Sequence, residues 1–191
     1  MTGREGRIAN VAGALLVGSV SARVAPATRA AHLLDSLFEE VLLVGGELPA
    51  DAPGRRVRDP DGPRCALRGL VGALDAARAE RVLVIATDLP RLTAELLLAL
   101  VAWPEAAVVA PRAAGRLEPL CAIYARDAVL PRARERLASG RLALHDLVGE
   151  LDLFALDGDD LRAVDPEGTA LARAAAPEEP SRVEAKLRRK G

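Results

Sequence analysis

The run VLVIATDLP, residues 82–90, constrains the fold more than any other stretch of this chain. Its apolar residues are continuous rather than alternating, which fits a strand covered on both faces, as in the centre of a parallel sheet. Asp88 then stands where that strand emerges at its carboxyl end, and Pro90 stops it. Ligands of open α/β sheets bind in the crevice outside those ends. A carboxylate there suits a hard cation such as Mg²⁺ carrying nucleotide phosphates. It equally suits a cap for the turn into the next helix, and position alone leaves both roles open.

The rest of the chain alternates strand-length apolar runs with helical periods. This is the pattern of an α/β domain around a mainly parallel sheet. Strands are expected at Ala12–Val17, Val41–Val44, Arg81–Pro90, AAVVAP, LEPLCAIY and FALD, with a possible short one before VRDPDG. Helices are expected at Ala27–Phe38, CALRGLVGALDAARAE, RLTAELLLALVAW, DAVLPRARERLASG, ALHDLVGEL and, last, DPEGTALARAAA. In the third of these Thr93 is the expected N-cap, with Leu96, Leu97, Leu100 and Val101 on one face. One domain over residues 8–176 accounts for the chain, and 177–191 read as a charged, disordered tail. No internal repeat is visible.

Composition removes several function classes. The aromatic residues are Trp103, Tyr124, Phe38 and Phe154 alone, too few to stack single-stranded nucleic acid, and a net charge of −1 gives no electrostatic case for nucleic acid or an acidic membrane. No apolar run reaches the ~18 to 20 residues of a membrane span. Cys65 and Cys121, 56 residues apart, fit no metal spacing and read as buried free thiols of a reducing compartment. His32 and His145 read as surface or helix residues. The only lysines, Lys186 and Lys190, lie in the tail. Phosphate chemistry in the body must therefore use arginine, metal or backbone amides.

The opening stretch GALLVGSVSARVAPATR, Gly13–Arg29, has two readings. It can be a first buried strand feeding a phosphate loop. Alternatively, Arg4 and Arg7, the apolar run and Val20-Ser21-Ala22 make an export signal with a cleavage triplet. The strands downstream favour the first reading, and with it a cytoplasmic protein. Asp59 and Asp61 in VRDPDG are turn chemistry by themselves, Asp165 and Glu167 in AVDPEG suit a helix start, and Glu118 stands at a strand entrance.

Together these segments resemble the molybdenum cofactor guanylyltransferases. VLVIATDLPRLTAELLLALV is similar to their strand ending Cys-Asp-Met/Leu-Pro and the helix begun by Ser or Thr. CALRGLVGAL resembles their Gly-Pro-Leu-Ala-Gly-Leu helix start, and LEPLCAIYARDAVLP their Gln/Glu-Pro-Leu-Cys-Ala-Leu-Tyr strand. LRAVDPEGTALARA resembles a shifted form of their closing Asn-Val-Asn/Asp-Thr-Pro-Glu-Asp-Leu. The resemblance implies a three-layer α/β/α nucleotidyltransferase fold of the Rossmann-like, GT-A type. It implies transfer of GMP from GTP to the molybdopterin cofactor, whose terminal phosphate attacks the α-phosphate and releases pyrophosphate.

By the same resemblance, Asp88 binds Mg²⁺ and the triphosphate, Asp59 and Gly45 contact the nucleotide, and Leu16, Val17 and Gly18 supply the backbone cradle. Glu118, Pro119, Leu120 and Asp165 fall on the pterin side. The family's loop Leu-Ala-Gly-Gly-x-Ser-x-Arg-Met-Gly-x-x-Lys is matched by LVGSVSARVAPAT, which keeps Gly18, Ser21 and Arg23 but lacks the lysine. Loss of one such donor costs about 10²- to 10³-fold in rate. Arg23 is then the catalytic cation expected at the phosphates, although its planar fork differs from an ammonium. The asparagine positions of the family are Gly45 and Ala163 here. Two other readings stay open: a cytidylyl- or sugar-nucleotidyltransferase, and a catalytically impaired accessory protein serving a molybdoenzyme.

Overall fold

The computed structural model describes residues 6–18, 24–46, 50–103 and 106–173. Arg23 and the whole of the expected tail lie outside them. Among the described residues eight strands form one sheet: β1 Val11–Val17, β2 Val41–Gly45, β3 Arg55–Val57, β4 Arg81–Ala86, β5 Val108–Ala113, β6 Arg116–Leu117, β7 Cys121–Ala125 and β8 Leu153–Leu156. Their order is β3-β2-β1-β4-β7-β5-β6, with β8 also pairing β5. The strands β1 to β4 are mutually parallel, and β5 is parallel to β8; β7 runs antiparallel to both β4 and β5.

Among the described residues six helices, α1 Val24–Leu37, α2 Ala66–Ala76, α3 Ala94–Ala102, α4 Arg126–Ala138, α5 Leu144–Gly149 and α6 Gly158–Val164, cover the two faces. Alternation along β1 divides them. Ala12 and Ala14 face a core built with α2, α4 and α5, while Val11 and Leu15 face one built with α1 and α3, on which Leu161 and Val164 of α6 also pack. This gives the three layers expected from the sequence. A side chain at Gly13 would have its Cβ 2.9 Å from Phe38, so the glycine lets the end of α1 close onto the strand.

Most elements fall where the apolar pattern places them. In α3, Thr93 is the N-cap, its Oγ1 accepting the amide of Leu96 at 3.3 Å, and Leu96, Leu97 and Leu100 are buried. The opening stretch resolves as well. β1 is hydrogen-bonded on both edges, to β2 and β4, so residues 11–17 are an interior strand of the sheet and belong to the folded domain. Of the thiols, Cys121 is buried and Cys65 half-buried, and both are free. His32 and His145 are exposed helix residues.

The end of the domain departs from expectation. DPEGTALARAAA does not form a helix through its described residues; residues 166–171 make turns, and the helix lies earlier, over Gly158–Val164. Asp165 causes the break. Its Oδ1 accepts the amide of Thr169 at 3.0 Å and its Oδ2 that of Ala170 at 3.1 Å, and Gly168 takes a φ of +63°. Those bonds hold the amides in a turn that a helical ladder would otherwise claim.

Candidate functional site

The sheet reverses direction of growth between β1 and β4: β2 and β3 add on one side of β1, and the chain then returns to its other side. That switch point opens a crevice at the carboxyl edge. β1 delivers Leu16, Val17 and Gly18 to it, and β4 delivers Thr87 and Asp88. Because β7 is antiparallel, its entrance rather than its exit reaches the same edge, where Ala86 donates its amide to Leu120 at 3.1 Å. Glu118, Pro119 and Leu120 therefore stand beside Asp88.

On the β2–β3 side, Val17 is the register partner of Gly45, and Asp59 follows β3. Gly45 has a φ of +75°, and a Cβ there would lie 3.0 Å from Asp59 Oδ2 and 3.2 Å from the Val17 carbonyl oxygen. Three of the expected nucleotide-side positions thus meet. Gly45 and Asp59 line a cleft of about 650 Å³ whose lining also includes Gly46, Arg56, Arg58, Arg64 and Arg68. Arg68, in the first turn of α2, donates to Asp59 Oδ2 at 2.7 Å and to the Gly62 carbonyl at 2.7 Å. Leu16 lies against α2, where a Cβ on Gly69 would be 3.2 Å from its Cδ1.

On the other side, one guanidinium joins two carboxylates. Arg173 donates from Nη1 to Asp88 Oδ2 and from Nη2 to both oxygens of Glu118, at 2.7 and 2.8 Å. Burial by itself would lower the Arg173 pKa, but the hydrogen bond to Glu118 and the charges of Glu118 and Asp88 outweigh it and raise it. Glu118 also accepts the amide of Leu120 at 3.3 Å. The corner is fixed from beneath by Tyr124, wholly buried, whose hydroxyl donates to the Pro119 carbonyl at 2.6 Å. Burial and, second, the nearby Glu118 charge push the ionisations of Tyr124 and Cys121 upward.

Asp88 Oδ1 is buried and has no hydrogen-bond partner among the described residues. This orphan oxygen, with the Glu118 carboxylate alongside, is a hard donor set of the kind Mg²⁺ takes. No group of three or more His, Cys, Asp or Glu is placed to hold a metal ion among the described residues. Completion of a coordination shell would fall to substrate oxygens and water, as is usual for Mg²⁺. Both carboxylate oxygens of Asp165, placed on the pterin side by the sequence, are taken by backbone amides. Its role in the structure is to hold the turn that carries Arg173.

Arg68 and Arg173 escaped the sequence reading. The arginine-only body says that a cation at this edge is arginine, but nothing local says which.

No curated protein sequence matches the chain at a significant level. Among solved structures, the chain is similar to an Aquifex aeolicus protein at 20% identity and a TM-score of 0.74, covering 90% of this chain and 96% of that one. It is similar to molybdopterin-guanine dinucleotide biosynthesis protein A from Archaeoglobus fulgidus at 19% and 0.69, covering 93% and 99%. It is also similar to 2-C-methyl-D-erythritol 4-phosphate cytidylyltransferase from Thermus thermophilus at 15% and 0.61, covering 91% and 98%. At such identities the likeness establishes the nucleotidyltransferase fold. A sequence profile goes further, matching residues 23–152, more than half of the chain and beginning after β1: the protein belongs to the family of MobA-like NTP transferase domains.

Proposed function

We propose that the protein transfers GMP from GTP to the terminal phosphate of the molybdopterin cofactor, with Mg²⁺ bound at Asp88. The observation that carries this reading is the convergence of Val17, Gly45 and Asp59 on one side of the switch point with Asp88 and Glu118 on the other. That layout puts a nucleotide cleft next to an acid pair at the carboxyl edge, which a two-substrate transfer requires.

In the reaction, an oxygen of the acceptor's phosphate attacks the α-phosphorus of GTP. The bond from that phosphorus to the oxygen bridging the β-phosphate breaks, and pyrophosphate leaves with the electron pair. A bound Mg²⁺ would neutralise the phosphate oxygens. The chain's work is positioning and charge placement. Asp59, held by Arg68, and the close backbone at Gly45 fix the nucleoside end. The α1 helix begins one residue beyond Arg23, with no acid in its first turn, so its positive N-terminal end is available to the phosphates. Arg23 remains the side chain proposed for the triphosphate. Glu118, Pro119 and Leu120 border the acceptor, and a cytoplasmic location belongs to the same reading. No helix among the described residues is long and apolar enough to cross a membrane.

The test is calorimetric titration of GTP and of CTP with Mg²⁺, followed by pyrophosphate release in the presence of molybdopterin. Preference for GTP and release abolished in Asp88→Ala are the expected results. Preference for CTP would make the protein a cytidylyltransferase, as its likeness to the Thermus thermophilus fold allows. Nucleotide binding without pyrophosphate release would favour the accessory reading, which the arginine on each acid, Arg68 on Asp59 and Arg173 on Asp88, supports.

A further inference from the structure

We infer that Arg173 is an internal stand-in for the divalent cation, seated on Asp88 and Glu118 when the metal is away and displaced from them when it binds. This rests on the reading of Asp88 as the cation ligand.

The geometry makes the two occupants mutually exclusive. Arg173 takes both Glu118 oxygens, at 2.7 and 2.8 Å, and Oδ2 of Asp88. Of the four carboxylate oxygens only Asp88 Oδ1 is left without a partner, and it is buried. A Mg²⁺ ion needs oxygens from the acids it binds and repels a guanidinium held on the same ones. It cannot enter the pair while the fork stays in place. Without either cation, two neighbouring carboxylates would face each other uncompensated, which is costly at a partly buried edge.

The way Arg173 is carried fits displacement. It lies beyond α6, on a turn fixed chiefly by the two amide bonds of Asp165. Its side chain is 45% exposed, against 18% for Asp88 and 12% for Glu118. The acids are set by the sheet, whereas the arginine has solvent to swing into. An arginine whose role was to brace the fold would be expected on the rigid side of this pair. The displaced guanidinium also leaves a positive group beside the site, in a body whose described residues contain no lysine.

The experiment measures Mn²⁺ binding to the full-length protein by electron paramagnetic resonance of the free ion, with no nucleotide present. Removing the competitor in Arg173→Ala should tighten Mn²⁺ binding about tenfold, the scale of a partly exposed two-acid ion pair. Arg173→Lys, which keeps the charge without the fork, should fall between the two. In the wild type, Mn²⁺ should also speed amide exchange over residues 166–173. Unchanged or weaker Mn²⁺ binding in a folded Arg173→Ala protein overturns the proposal, as does unchanged exchange over that segment. Mn²⁺ binding by neither protein overturns it together with the assignment of Asp88. Pyrophosphate release by the wild type alongside equal Mn²⁺ affinities would leave the nucleotidyl-transfer reading standing and remove only this inference.

Discussion

Asp59 and Gly45 meet at the cleft beside β3 so closely that a methyl group on Gly45 would lie 3.0 Å from the carboxylate Oδ2 that Arg68 already holds at 2.7 Å. Any larger residue at 45 must strain its backbone, at φ +75°, and push this carboxylate. Gly45→Ala is therefore expected to destabilise the protein by about 1 to 2 kcal/mol and to weaken GTP binding. Urea denaturation and calorimetry measure the two effects. Restoring the family's asparagine at this position should not improve binding, because its Cβ meets the same oxygen.

At Asp88 the expected balance is the reverse. Its ion pair with Arg173 is partly exposed, so Asp88→Asn should cost less than about 1 kcal/mol in stability. Removing the charge proposed to hold the cation should nonetheless lower pyrophosphate release about 10²-fold or more. Loss of stability in proportion to activity would assign Asp88 to the fold instead.

Tyr124 connects the core to the site through one hydroxyl. Tyr124→Phe leaves the Pro119 carbonyl without that 2.6 Å bond, and a loss of about 1 to 3 kcal/mol is expected. The Glu118 corner should loosen with it, raising the KM for the acceptor more than that for GTP.

Asp165→Ala removes the acceptors of two amides at a position only 8% exposed. A destabilisation of about 1 to 3 kcal/mol is expected. Faster proteolysis after residue 165 should accompany it, because the turn carrying Arg173 is no longer held.

Alkaline pH should destabilise the protein through Cys121 and Tyr124. In the unfolded chain they ionise near their ordinary values of 9.0 and 10.0, while burial raises both in the folded state. Above pH 9 the unfolded chain sheds protons that the native state retains, so stability falls as pH rises. Melting temperatures from pH 8 to 11 should show this decline, and Cys121→Ala should make it shallower. At pH 8 a thiol reagent should modify Cys65 and spare Cys121.

How far each feature could be read in advance depends on whether its cause is local. The strand ending at Asp88 and the Thr93 cap were legible because a continuous apolar run and an N-cap hydroxyl act on their own neighbours. The helix α6 was not, since none of its residues is buried and GDDLRAV carries no apolar period. The alanine-rich segment after it looked helical, but Asp165 captured its amides. Residue resemblance, rather than pattern, picked out Asp59 and Gly45. Arg173 was beyond either method: its partners lie 85 and 55 positions away, and only the antiparallel entry of β7 brings them together.

That antiparallel strand also dictates the order in which the sheet can be completed on a growing chain. β7 separates β4 from β5, yet it is synthesised after both. Until residues 121–125 emerge, β4 has a bare edge beside its β1 partner, and β5 has no place in the main sheet. Closure depends on a late insertion between two waiting strands, a non-local step of the slow kind. A ribosome stalled before Cys121 would present an unpaired edge of Val82, Leu83, Val84 and Ile85, the most apolar run in the protein, to any neighbouring nascent chain.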